Sequence, residues 1–288
     1  MKNHLIFCFT LLFIFSCQKR AVNTLETNVG SFENYISGIQ AGHILQEEGV
    51  KIFFNQSPIP VEKIGEELNP ELISISPTIK GKWIWENAYT IGFKSDLTEM
   101  QNPQTVYKVK LKMNQLFNEI PDSLNTLEFD FSFLPVQSQV NWKFLKSDPA
   151  NPNLMSIEAF VKFSDFVDST SRINYLQITE PNKHQIKLEV EQNLDGYWKY
   201  KFYNIERAQV EQKLEFSWDA DFSDQQKNES HLIKIPSISD FVITGVETEE
   251  MDERLVQIYF SDPLDQLQDF KSFVKLNPAQ ALSEIRSD

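Results

Sequence analysis

His43, His184 and His231 are the first residues to test for chemistry, since imidazoles in H-x-x-x-H or H-x-H pairs hold metals. They lie far apart in the chain and form no such pair, so surface or hairpin histidines are expected, with no metal. Asp219, Asp221 and Asp224 cluster in WDADFSD, and Asp262, Asp265 and Asp269 in SDPLDQLQD. Spaced carboxylates bind Ca²⁺ when the loop also supplies a glycine turn and a closing Glu. Neither run has them, and Asx-type turns at strand ends are the expectation. G-x-S-x-G, G-x-x-x-x-G-K-[ST] and G-x-G-x-x-G are all missing, and 9 glycines leave little for a phosphate cradle. Tryptophans stack on sugar rings when exposed, which makes Trp142, Trp198 and Trp218 candidates; core packing is the expected role. No residue pattern supports an enzyme or a cofactor.

The cysteines carry a different chemistry. Residues 1–16, MKNHLIFCFTLLFIFS, hold one early Lys and an apolar run from Leu5 to Phe15. A bilayer-spanning helix needs about 20 apolar residues, so this run suits a signal-peptide core. It ends in Ile14-Phe15-Ser16-Cys17, which resembles the bacterial lipoprotein processing site: an aliphatic residue, a small residue, then Cys. Cleavage between Ser16 and Cys17 would leave a thiol for diacylglycerol and an α-amine for a further acyl chain. Each buried CH₂ contributes ~0.8 kcal/mol, so several chains together hold a protein on a membrane. The alternative is an ordinary secretory signal with an incidental Cys. Cys8 falls within the signal core, so the mature chain is expected to have neither disulfide nor free thiol. Residues 18–28, QKRAVNTLETN, are polar and aperiodic and read as a tether. Gln18 is not the Asp that favours inner-membrane retention in some bacteria. The expected place is therefore the outer membrane, at its periplasmic face or the cell surface.

Composition sets the frame around these sites. Acidic residues outnumber basic ones 41 to 27, giving a net charge of −14, which excludes a phosphate-binding nucleic-acid partner. With 41% hydrophobic residues the chain has the means to bury ordinary cores. Its 23 phenylalanines are spread over short alternating runs, which favours β-structure.

One strand phrase recurs. VKIFFNQSPIP at 50–60 returns as IEAFVKFSDFVD at 157–168 and VQIYFSDPLD at 256–265. Measured from the last Phe of each strand (Phe54, Phe163, Phe260), the steps are 109 and 97 residues. Such a period means tandem domains of similar build, each opened by a copy of the strand. Around it stand further alternating runs bounded by turn residues. In KGKWIW, Trp83 and Trp85 share one face; in VYKVKLKM, Val109 and Leu111 face away from Lys108, Lys110 and Lys112. INYLQIT at 173–179 reads as a strand, and Asp195-Gly196 as a hairpin turn. FENYISGIQAGHI at 32–44 reads as an edge strand or short arm.

The expected fold is all-β: tandem immunoglobulin-like or fibronectin-III-like antiparallel sandwiches. Signal 1–16 and tether 17–31 precede sandwich one at 32–135, sandwich two at 136–240, and the start of a third at 241–288. An immunoglobulin-like sandwich takes about 100 residues, so the third is expected to be incomplete within this sequence.

The order V-K-I-F-F-N-Q-S-P, I-S-P-T-I-K-G-K-W-I-W and T-V-Y-K-V-K-L is followed by K-F-Y-N-I-E-R, L-E-F-S-W-D-A and H-L-I-K-I-P. V-Q-I-Y-F-S-D-P-L-D then opens the third unit. Over 36–276 this resembles the N-terminal portion of the bacterial α-2-macroglobulin family, large lipoproteins built from tandem macroglobulin domains. The resemblance implies a protease trap: a protease cuts a bait segment, the domain stack rearranges, and the protease is entrapped. Many members hold a thioester in Cys-x-Glu-Gln, but Cys8 and Cys17 are followed by FTL and QKR, so no thioester residue is assigned. These domains would be scaffold, with a membrane partner through Cys17 and proteases met by other parts of the protein. The other reading is a surface lipoprotein whose repeats act as an adhesin or glycan-binding module. It requires an exposed aromatic row.

Overall fold

The computed structural model describes residues 29–179, 185–193, 195–220, 222, 228–250, 254–265, 267–268, 270 and 273–275. Ser16, Cys8, Cys17, His184, Asp221, Asp224 and Asp269 lie outside them. The first unit has eight strands: β1 (Ile36–Gln40), β2 (Gly42–Ile44), β3 (Val50–Phe54), β4 (Ile73–Ser76), β5 (Gly81–Asn87), β6 (Thr90–Ser95), β7 (Tyr107–Lys112) and β8 (Thr126–Phe133). They form two sheets, β1-β3-β6-β5 and β2-β8-β7-β4. The period-two pattern decides which side chains go inside. Tyr107, Val109 and Leu111 of β7 are buried while Lys108, Lys110 and Lys112 are exposed, and Trp83 and Trp85 both point into the core. Each fully buried aliphatic or Phe side chain contributes about 1.5–3 kcal/mol, set against the entropy of ordering it.

Residues 32–44 do more than form an edge. A kink at Ala41 and Gly42 (φ +89°) sends β1 into one sheet and β2 into the other. There β2 pairs parallel with β8, the exception to an otherwise antiparallel pairing among the named strands.

The second unit comprises β9 (Ser138–Trp142), β10 (Lys146–Ser147), β11 (Leu154–Phe163), helix α1 (Ser169–Ile173), β12 (Gln177–Ile178), β13 (Lys187–Gln192), β14 (Trp198–Glu206), β15 (Gln212–Asp219) and β16 (Asn228–Ile235). Its sheets are β10-β11-β14-β13, with β9 also on β11, and β12-β15-β16. The strand expected at 173–179 is largely replaced. Asp168 caps α1, accepting from the Thr170 and Ser171 N–H groups at 3.0 Å each, and this cap draws Ile173 into a helical turn. Only Gln177 and Ile178 remain extended. The Asp195-Gly196 hairpin is present between β13 and β14, with Gly196 at φ +78° and its N–H on the Asn193 carbonyl.

The third unit is described as a hairpin of β17 (Ile243–Glu250) and β18 (Arg254–Phe260). The recurrent strand is β3, β11 and β18, and it does not open its unit. In each unit an earlier strand pairs antiparallel with it at the last Phe: Ile36 opposite Phe54, Ser138 opposite Phe163, Ile243 opposite Phe260. The repeated element is therefore a strand pair. Val50 and Ile52 are fully buried, whereas their counterparts Val256 and Ile258 stay 50% and 37% exposed.

The buried residues of units one and two form separate clusters, one around Phe129, Phe131 and Ile52, the other around Tyr200, Phe202 and Phe216. Separate cores imply separate melting. Phe131→Ala is expected to destabilise unit one by about 3–5 kcal/mol. In calorimetry it should lower one of two transitions and leave the other in place.

Candidate functional site

Of the described candidate residues, His231, Trp142 and Trp218 meet by ring packing in unit two. His43 is exposed on β2 with Nδ1 2.8 Å from Ser132 Oγ. His231, on β16, stacks on Trp142 with ring centres 4.8 Å apart, and loss of water around the ring lowers its pKa. Trp142 and Trp218 belong to the aromatic core with Phe216 and Phe202. Trp198 is half-buried, with the Arg172 guanidinium 4.1 Å above its ring. Among the described residues no group of three or more His, Cys, Asp or Glu is placed to hold a metal ion. Asp265 does form the expected Asx turn, accepting from the Leu267 N–H at 2.9 Å. Asp262 does not; it has a different task, described below.

Where polar groups are buried is more informative. The described buried polar residues are Thr90, Asp130 and Ser132 inside unit one, and Gln46, Asp165, Arg207, Ser237 and Ser261 at the two junctions between units. A buried polar group without partners costs about 1–3 kcal/mol, so such clustering marks built contacts.

At the first junction, Asp165 of unit two faces the β2–β3 turn of unit one. Its carboxylate accepts the Gln46 N–H, the Glu47 N–H at 3.0 Å and the Phe166 N–H at 2.7 Å. Gln46 is held so that its backbone can donate. Its side chain donates to the Glu99 carbonyl at 2.8 Å and accepts from the Gln101 N–H at 3.0 Å, while its carbonyl accepts from Ser95 Oγ at 3.2 Å. The turn closes through Gly49 at φ +66°, where a Cβ would collide with the Phe93 carbonyl. A cleft of about 230 Å³ opens beside this contact, lined by Glu47, Ser164, Asp165, Arg172, Gln192 and Trp198.

At the second junction the centre is Arg207, whose side chain is 1% exposed. Within unit two it donates to the carbonyls of Pro152 (3.0 Å), Pro236 (3.3 Å), Ser237 (2.6 Å) and Asp240 (3.0 Å). Toward unit three it donates to the Ser261 carbonyl at 3.0 Å and the Asp262 carboxylate at 2.8 Å. A guanidinium has five N–H donors in a rigid fork, which suits this convergence of carbonyls. Around it, Lys143 pairs with Glu247, Thr244 Oγ1 donates to the Leu145 carbonyl at 2.7 Å, and Phe144 meets Tyr259 at 5.8 Å. Gly245 makes room for that approach, since a Cβ there would collide with the Phe144 ring.

Sequence reading missed Gln46, Asp165 and Arg207. The signal for Asp165 was present, since an acidic residue follows Phe-Ser in both later copies of the strand. What these junctions can do is fix one unit against the next.

Burial raises the Asp262 carboxyl pKa, but bonds from Arg207 and Ser261 and the Arg207 charge outweigh it, leaving it below its ordinary value. Two further carboxylates stand here: Asp240 accepts from Ser237 Oγ at 2.7 Å, and the bond from Lys143 holds Glu247 below its ordinary value. A carboxyl held below its unfolded pKa of about 3.9 adds stability above that value. The contribution is lost as pH falls through the lower folded value. Docking of the third unit is thus expected to be constant from neutral pH to about 4 and to weaken below it. Amide exchange in β17, corrected for intrinsic rate, checks this; Asp262→Asn should shrink the acid step and leave the part that Glu247 contributes through Lys143.

No family model matches the chain, and a search of the curated proteins finds no match.

Proposed function

We propose that this chain is the N-terminal scaffold of a membrane-anchored bacterial α-2-macroglobulin, an endopeptidase inhibitor that traps attacking proteases. One observation carries the reading: the same strand pair recurs three times along the chain, in two sandwiches and a further hairpin, after the Ser16-Cys17 sequence motif. A trap needs an arm that holds its shape while other parts of the protein move, and polar junctions between small sandwiches support that role. In this reading Cys17 carries the lipid, the polar segment after it is the tether, and the sandwiches stand off the membrane. Among the described residues no helix is long and apolar enough to cross a membrane.

The glycan-binding alternative draws less support. It needs an open row of aromatic rings. Trp142 and Trp218 pack within the core of unit two, and Arg172 covers one face of Trp198.

Two experiments test the proposal. Metabolic labelling with a palmitate analogue should mark the wild-type chain and miss Cys17→Ala; equal labelling of both would remove the lipid anchor. The protein isolated from membranes should, after exposure to an endopeptidase, shift on a native gel. The protease should then cleave a small peptide but no longer a large protein substrate. Continued digestion of the large substrate would overturn the trap.

A further inference from the structure

We propose that the dipeptide following the recurrent strand, Ser164-Asp165 in unit two and Ser261-Asp262 in unit three, is the lock that docks each unit on its predecessor. The strand pair sets the position. In all three units the residue after the last Phe donates its N–H to the residue just before the paired strand: Asn55 to the Tyr35 carbonyl at 2.9 Å, Ser164 to Gln137 at 2.8 Å, Ser261 to Val242 at 2.9 Å. In units two and three the Ser hydroxyl also accepts the return N–H, from Gln137 at 2.8 Å and from Val242 at 2.9 Å. These bonds lie within one unit and fix where the next residue stands.

That next residue is Asp in both, and in both its carboxylate crosses to the preceding unit. Asp165 takes the Gln46 and Glu47 N–H groups of unit one; Asp262 takes Arg207 of unit two. The donors are unrelated, backbone amides in one case and a guanidinium in the other. What recurs is the acceptor and its place in the fold. An ionised carboxylate suits it, because charge-assisted hydrogen bonds are shorter and stronger than neutral ones and are directional. In unit one the same position holds Gln56, which is exposed. The carboxylate is thus a property of the docked units, and it recognises a cluster of N–H donors at the facing end of the sandwich before it.

The test uses the full chain with Asp165→Ala, Asp262→Ala and, at the equivalent position of unit one, Gln56→Ala. Asp165→Ala is expected to speed amide exchange at Gln46 and Glu47 by at least about tenfold. Ala159 and Val161, in the core of the same unit, should keep their rates. Small-angle scattering should show a broader spread of interunit distances for both Asp variants and no change for Gln56→Ala. If an alanine variant also loses protection at Ala159, the near-isosteric Asp165→Asn and Asp262→Asn decide, with the same changes expected at smaller size. Unchanged exchange and scattering in the Asp variants, or equal loosening by Gln56→Ala, would overturn the lock.

Discussion

Everything in this chain hangs on the register of one strand per unit. β3 and β11 lie inside their sheets, with neighbours on both sides, and β18 pairs with the strand before it. Because side chains alternate, a slip of one residue would turn Val50, Ile52 and Phe54 to water and bring Lys51 and Phe53 inward. The same holds for Ala159 and Val161 in β11. The apolar side thus fixes the register, and the register fixes where the strand ends. The residues just past Phe54, Phe163 and Phe260 inherit a defined position that loop residues rarely have. A junction built there starts from a rigid base.

Apolar contact alone would not give such a junction a direction. Burial of hydrocarbon area is non-directional, and two sandwich ends pressed together through apolar side chains could pivot. Hydrogen bonds to a carboxylate have angles to satisfy. The first junction therefore spends Gln46 on ordering a turn, so that two backbone N–H groups converge on Asp165. At the second, Arg207 gathers four carbonyls of its own unit before it reaches Ser261 and Asp262. Its own-unit bonds hold the guanidinium in place, so that losing Asp262 alone would leave Arg207 buried but still largely partnered.

How much of this was legible follows from range. Short-range patterns read well: Lys108, Lys110 and Lys112 against Val109 and Leu111, the Trp83–Trp85 pair, the Asp195-Gly196 turn. Each is decided by neighbours one or two positions away. The helix at Ser169–Ile173 was missed because five residues are too few for a helical period, though Asp168 before a run of Ser and Thr was a usable cap signal. β2 was merged with β1 because nothing in GIQAGHI marks the point at which the chain changes sheets, except Gly42 at positive φ. The junction residues were out of reach for a different reason. Asp165 finds Gln46 across 119 positions and Arg207 finds Asp262 across 55, and no local rule spans such distances. Only the recurrence of Phe-Ser-Asp in the two later copies of the strand pointed that way.

The acidic balance of the chain bears on why the lock has this polarity. With a net charge of −14, sandwich ends that met through exposed charges would repel more often than attract, and salt would screen what attraction there was. A junction made from a carboxylate and sheltered N–H donors avoids both problems, and at the first junction Asp165 is itself buried. Backbone amides carry no net charge to be outnumbered, and the Arg207 side chain, 1% exposed, is shielded from bulk ions. At the first junction the buried Asp165 carboxylate is penalised for every donor it loses. Surface pairs such as Lys80–Glu99 and Lys82–Glu67, open to water, contribute little by comparison. Among its many acidic residues, the chain thus uses Asp165 and Asp262, at one recurrent position, to set the direction of the next unit.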